Sequence, residues 1–223
     1  MNRFYTPEPL EPGEFVLDGP EAHHLVSVRR LGPGDRVTLF NGNGLEYPAE
    51  VVHADRKRAT LNVFEAVAVD RERAFPLTIA AAMPKGDRGD FLVEKLVELG
   101  ATRFVPLLAE RSVVQPKESR LEKLQQAVIE ASKQCGRNAL MRIDALTRWS
   151  DFLTRAEGWR AILHPGSSEA TAPPNAARTF AIGPEGGFTE GEVAAAEAAG
   201  WVRFSIGPRI LRVETAAIAA ACQ

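Results

Sequence analysis

The sequence predicts an α/β protein in two parts, a small N-terminal β domain followed by a larger domain of strands and helices on a mostly parallel sheet. Three observations carry this. About the first seventy residues hold only short β-branched or aromatic segments separated by turn clusters. The charged stretch Val69-Asp70-Arg71-Glu72-Arg73-Ala74-Phe75-Pro76, closed by proline, then suits a linker. Beyond it, buried-strand runs alternate with amphipathic helical patterns. The division falls between 1–72 and 73–223.

In the first part, Phe15-Val16-Leu17 and the segments 36–40, 47–52 and 59–64 read as strands. Gly32-Pro33-Gly34-Asp35 and Asn41-Gly42-Asn43-Gly44 are turn clusters, the second a strong hairpin signal. One short helix is expected over 20–30. In the second part, strands are expected at 77–83, 104–108, 160–163, 179–182 and 201–206. Helices are expected over 90–99, closed by Gly100, and over 118–135, closed by Gly136. Thr189 with Glu192 three residues on is a capping-box signature, and its helix ends near Gly200. The last helix, 214–222, is rich in alanine and has little polar surface, which suggests burial or a partner.

Composition excludes more than it identifies. With 223 residues, 45% hydrophobic and 25% charged, the chain suits one large or two small soluble domains. A net charge of −2 gives no global basic signal, so any nucleic-acid contact must come from a local patch. Cys135 and Cys222 are too far apart for a CxxC motif, and no metal is expected. The N-terminus lacks an apolar core of the kind that targets secretion, and no apolar run is long enough to span a membrane, so a cytoplasmic location is expected.

In open parallel sheets, ligands bind beyond the carboxyl ends of the strands. Three such loops are unusual here: His164-Pro165-Gly166, Gly183-Pro184-Glu185-Gly186-Gly187 and Gly207-Pro208-Arg209 each put glycine and proline directly after a strand. Proline removes a donor and fixes φ, whereas glycine permits positive φ and close approach of a ligand to the backbone. One loop of this kind is more often a tight turn than a site. Several, followed by the charged cluster Arg209, Arg212 and Glu214, point to a ligand site. No Gly-Lys-Ser/Thr ending and no GxGxxG follows a strand, which disfavours nucleoside triphosphates and NAD.

The pair Ile182-Gly183-Pro184-Glu185-Gly186-Gly187-Phe188 and Ile206-Gly207-Pro208-Arg209-Ile210-Leu211-Arg212-Val213-Glu214-Thr215-Ala216 resembles the signature of the RsmE family, 16S ribosomal RNA (uracil-N3) methyltransferases of the SPOUT superfamily. His23-His24-Leu25, Lys85-Gly86-Asp87, Glu98-Leu99-Gly100-Ala101, Glu110-Arg111-Ser112-Val113-Val114 and Lys133-Gln134-Cys135-Gly136-Arg137 agree in order along nearly the whole chain. Lys133 stands where many members would have glutamate, so it is given no catalytic role. The resemblance implies an N-terminal PUA-like β-barrel, a C-terminal SPOUT α/β domain with a deep trefoil knot, a homodimer, and S-adenosyl-L-methionine as cofactor. It further implies that Leu163, His164, Ile182, Gly183, Gly187, Ile206, Gly207, Ile210 and Leu211 hold that cofactor, and that the partner is 16S rRNA in the small ribosomal subunit.

Uracil N3 carries a proton at neutral pH and attacks poorly until that proton leaves, so a base or a charge-stabilising cation is needed. Glu185 and Glu214 are the carboxylates in the motifs, and Arg212 is favoured for substrate or transition-state charge. Glu214 is better suited to orient that arginine or cap the final helix than to act as base. N3 lies on the Watson–Crick edge, so the target uridine must be unpaired. Arg3, Arg29, Arg30, Lys85, Arg88, Arg111 and Arg137 are candidates for RNA contacts, with the Arg29-Arg30 pair beside His23-His24 foremost. The histidines suit packing or capping. Two rival readings remain: a SPOUT enzyme acting on a ribose 2′-hydroxyl or on transfer RNA, and a non-catalytic rRNA-binding assembly factor.

Overall fold

The computed structural model describes residues 2–55, 57–166 and 172–223. Contacts divide the chain into two compact units, one of 1–72 with 129–140 and one of 73–128 with 141–223. The first unit thus includes a segment that a single cut in the sequence assigns to the second.

In the first unit, β1 (Arg3–Tyr5), β2 (Gly13–Asp18), β3 (Arg36–Phe40), β4 (Leu45–Ala54), β5 (Arg58–Val63) and β6 (Val67–Ala68) form one sheet of order β1-β3-β4-β5-β2, with β6 on β4. All pairs are antiparallel except β1 with β3. Alternation places Val37 and Leu39 of β3, Tyr47, Ala49 and Val51 of β4, and Ala59, Leu61 and Val63 of β5 in one core with Phe4 and Leu25. The helix expected over 20–30 is two pieces: α1 (Gly19–His23), then a π-helical turn, His24–Val28, in which Arg29 N–H reaches back five residues to His24 O.

The proposed linker is partly built into this unit. Arg71 donates to Glu46 Oε1 at 2.6 Å and to Gly136 O at 3.0 Å, and Glu72 accepts from Arg137 Nε at 2.9 Å. Charges that look like solvated linker in a linear reading are here the partners of buried charges.

In the second unit, β7 (Leu77–Ala82), β8 (Arg103–Leu108), β9 (Arg142–Ile143), β10 (Thr147–Arg148), β11 (Trp159–Leu163), β12 (Arg178–Ile182) and β13 (Val202–Phe204) make a sheet of order β10-β8-β7-β12-β11-β13, with β9 also on β8. Every pair is parallel. The helices are α2 (Arg88–Glu98), α3 (Glu118–Cys135, of which 129–135 belong to the first unit), α4 (Trp149–Leu153), α5 (Glu190–Ala198) and α6 (Val213–Ala221). The two-residue strands β9 and β10 and the one-turn α4 are too short to show a period and exist through tertiary pairing. The capping box at Thr189 and Glu192 forms as expected. The alanine-rich α6 buries Val213, Ala216, Ala217, Ala220 and Ala221 and packs on α2, β7 and β12, so its apolar face is covered within its own unit. No helix among the described residues is long and apolar enough to cross a membrane.

Candidate active site

Sheet order decides where the three unusual loops meet. β11 lies between β12 and β13, with Ile162 beside Ala181 and Leu163 beside Phe204. The chain therefore leaves all three strands at neighbouring points on the carboxyl edge of the sheet. The segments 163–165, 182–188, 204–207 and 209–211 consequently line one cavity of about 400 Å³, within the range of small-molecule sites.

The Gly-Pro-Glu-Gly-Gly loop gives its three glycines different duties. A Cβ on Gly183 would stand 3.0 Å from the backbone N of Phe188 and 3.1 Å from C of Gly187, so glycine lets the loop fold back on its own start. A Cβ on Gly186 would press at 3.3 Å on the side chain of Arg111, whose Nη1 donates to Gly186 O at 2.8 Å. Gly187 closes the turn through N–H to Pro184 O at 2.8 Å and has φ +69°, while a Cβ there would meet no atom within 4 Å. Gly207, φ +90°, is open in the same way. Gly187 and Gly207 thus combine left-handed backbone with empty space at the cavity lining, a cradle that side chains would fill.

All nine residues expected to hold the cofactor, Leu163, His164, Ile182, Gly183, Gly187, Ile206, Gly207, Ile210 and Leu211, line this cavity. Ile210 is nonetheless 87% exposed, lying at the rim rather than in the wall. The linear reading missed Phe188, Glu190, Phe204, Val213 and Ala216, which also line it. Phe188 is buried, its ring tilted against Trp149 at 4.9 Å between centroids, which fixes the end of the glycine loop. Its place directly after Gly-Gly was the available signal. The apolar walls, glycine-exposed backbone, and charged Arg111, Glu185, Glu190 and Arg209 suit a ligand with a flat apolar part and charged ends. S-adenosylmethionine has this character, so the residues present fit it.

Of the three residues expected to act in catalysis, Glu185 and Glu214 meet on one arginine and Arg212 stands apart. Glu185 lines the cavity. Glu214 is buried in the first turn of α6, with Oε1 accepting from Arg88 Nη1 at 3.3 Å and Oε2 without a partner among the described residues. The arginine that Glu214 orients is thus Arg88, not Arg212. Arg88 also donates through Nη2 to Glu185 Oε1 and through Nε to Lys85 O, both at 3.4 Å, tying the glycine loop to the start of α6. Arg212 is exposed at the N-cap of α6 and outside the lining, although Leu211 and Val213 on either side belong to it.

The candidates for RNA contact divide by burial. Arg29, Arg30, Lys85 and Arg111 are exposed. Arg3 and Arg137 are not available, which corrects the expectation for both. The Arg3 side chain is fully buried, donating to Glu46 Oε1 and Asn138 Oδ1, each at 2.6 Å, and Arg137 is 4% exposed on Glu72. A buried cation is tolerated only with such partners, and these partners hold both guanidinium groups inside the protein, although Arg3 Nε has no partner among the described residues. Arg88 is likewise engaged by two carboxylates, and Arg111 faces the cavity. Lys133 is buried with Nζ at 2.7 Å from Glu21, 3.1 Å from Glu130 and 3.3 Å from His24 Nδ1, and His24 packs edge-on to Phe4. Lysine at that position is explained by the carboxylates of Glu21 and Glu130. No cluster of residues suited to a metal ion occurs among the described residues.

Known proteins similar to this chain share both units. A family model described as an RNA methyltransferase domain matches residues 71–222, and one described as an RNA methyltransferase PUA domain matches 17–64. Proteins named ribosomal RNA small subunit methyltransferase E are similar to it: that of Synechocystis is 32% identical, covering 98% of this chain and 75% of the relative. That of Bacillus subtilis is 30% identical, covering 97% and 93%. The crystal structure of the enzyme of that name from Neisseria gonorrhoeae, bound to S-adenosylmethionine, superposes with a TM-score of 0.93 at 33% identity over 99% of this chain and 95% of that one. With a PUA-like N-terminal domain, a parallel-sheet methyltransferase domain and full-length similarity at this level, the chain belongs to the ribosomal RNA small subunit methyltransferase E family.

Proposed function

We propose that this protein is an S-adenosylmethionine-dependent enzyme that methylates N3 of one uridine in the 16S rRNA of the small ribosomal subunit, working as a cytoplasmic homodimer. The observation that carries the reading is the cavity beyond β11, β12 and β13, where Gly187 and Gly207 leave backbone and space open to a ligand, in a chain of this family. The cofactor, when bound, supplies a methyl group activated by its sulfonium. Leu163, Ile182, Ile206 and Leu211 would hold its apolar part and the glycine loops its polar edges.

The chain's own residues must then orient a uracil and help N3 lose its proton. Glu185 is the motif carboxylate that reaches the cavity, and Arg88 with Glu214 acts as the bracket that positions it. Arg212, exposed beside the cavity, is assigned to substrate charge, and Arg29, Arg30 and Lys85 to the RNA backbone. A trefoil knot belongs to the same reading: after β13 at one edge of the sheet, the chain returns to seat α6 on β7 and β12 in the middle. The test is incubation with small subunits lacking the modification and isotopically labelled S-adenosylmethionine, followed by nuclease digestion and mass spectrometry. A single 3-methyluridine is expected. Label on a ribose, or none, would overturn the proposal.

A further inference from the structure

We propose that Arg111 is a catalytic residue of this site: its guanidinium donates to a carbonyl oxygen of the target uracil and stabilises the negative charge the ring acquires when N3 loses its proton. The inference rests on the uracil-N3 reading above. Proton loss leaves an electron pair on N3 that is shared with O2 and O4, while the proton passes to water. A fixed cation at one of those oxygens favours the anion and stays protonated throughout.

Three hydrogen bonds from backbone N–H groups and one between side chains pin the turn that carries Arg111. Ser112 N–H donates to Ala109 O and Ala109 N–H to Ser112 Oγ, both at 3.0 Å. Glu110 N–H donates to Glu192 Oε1 at 2.9 Å, and Glu110 Oε2 accepts from Thr189 Oγ1 at 3.2 Å. The Arg111 side chain then lies along Gly186, which has no Cβ to displace it, and spends one donor on Gly186 O. A guanidinium has five N–H donors, so donors remain for a ligand. Arg111 also belongs to the cavity lining, whereas Arg212 does not. The other titratable groups lining the cavity are His164, Glu185, Glu190 and Arg209, with Glu110 and Glu192 on the far side of the turn. Of the two cavity arginines, Arg111 is the one tied into the glycine loop, and the nearest carboxylate in that loop, Glu185, is already engaged by Arg88.

The test uses target RNA carrying 5-fluorouridine, whose N3–H is more acidic, bound to the full-length protein with S-adenosylhomocysteine. The fluorine resonance is followed against pH for wild type, Arg111→Met and Arg111→Lys. Wild type should lower the pH at which bound N3–H titrates, Arg111→Met should lose that lowering, and Arg111→Lys should retain part of it. On uridine, Arg111→Met should lower kcat by roughly 10²- to 10³-fold near neutral pH. Raising the pH or substituting 5-fluorouridine should recover part of the loss, with S-adenosylhomocysteine affinity within about twofold by calorimetry. An unchanged titration, or the same fractional loss at every pH, would overturn the proposal. A tenfold loss of S-adenosylhomocysteine affinity with normal titration would instead make Arg111 an anchor for the cofactor carboxylate, and also overturns it. If wild type forms no 3-methyluridine at all, the underlying reading fails whatever Arg111 does.

Discussion

Replacing Gly187 with alanine separates cofactor binding from folding. The residue has φ +69°, and an L-residue held in that left-handed region costs roughly 1–2 kcal/mol. Its Cβ would meet no protein atom within 4 Å, so no clash adds to this strain. At about 2–4 °C per kcal/mol for a chain of this size, the melting temperature should fall by about 2–8 °C. The added methyl projects at the cavity lining, and the loop can relieve its strain only by moving the turn that Gly187 N–H closes on Pro184 O. A loss of cofactor affinity of at least about tenfold is expected, equivalent to about 1.4 kcal/mol, with a larger loss for the β-branched Gly187→Val. Gly158→Ala is the control: φ is +74°, but its Cβ would lie 2.2 Å from Ala177 O, at the amino ends of β11 and β12 and so at the end of the sheet opposite the cavity loops, and the backbone must shift. That variant should lose much more stability than Gly187→Ala. Calorimetry with S-adenosylmethionine, paired with thermal unfolding, reads both quantities. Unchanged affinity in Gly187→Ala, or unfolding as severe as in Gly158→Ala, would refute the assignment of this loop to the cofactor.

Three further outcomes follow from charges the fold has placed. Burial raises the carboxyl pKa of Glu46, but hydrogen bonds from Arg71 and Arg3 outweigh it and hold the group below its ordinary 4.5. Its stabilising contribution is therefore present above that value and lost as pH falls through the folded one. Glu46→Gln should cost about 3 kcal/mol at neutral pH, the low end for a broken buried pair because glutamine keeps an acceptor. The gap from wild type in urea unfolding should close as pH falls below 4.5; a gap independent of pH would refute this. Arg29→Ala with Arg30→Ala should lower RNA affinity and reduce the slope of log affinity against log salt by up to about 2, whereas Arg3→Ala should melt β-sheet amide protection in hydrogen exchange instead. Arg88→Met should lower kcat by up to about 10²-fold with little change in KM for RNA, because it releases Glu185 and leaves Glu214 buried without its cation. A rise in KM at constant kcat would make Arg88 an RNA contact.

Local chemistry was legible in the residues themselves. Strands with an alternating or continuous apolar run, the 118–135 helix, and the Thr189 cap follow from short-range periodicity and hydrogen bonding, and they reappear within a residue or two. The glycine and proline loops pointed to a ligand site because glycine adopts positive φ without strain and leaves backbone exposed at a strand end, while proline fixes the turn. Charge carries no such local signature. Arg3, Arg88, Arg111 and Arg212 are equivalent in a linear reading, yet one is sealed in a core, one brackets two carboxylates, one lines the cavity and one is exposed outside it. The same holds for the strands β9, β10 and β1, which have too few residues to show a period and are set by the strands beside them. Sequence alone therefore determined which loops could bind a ligand. Only the tertiary structure decided that they line one cavity, because parallel pairing inserts β11 between β12 and β13, bringing loops that are distant in the chain to one edge. That pairing is a long-range choice made by the packing of the whole sheet, on which no stretch of local sequence reports.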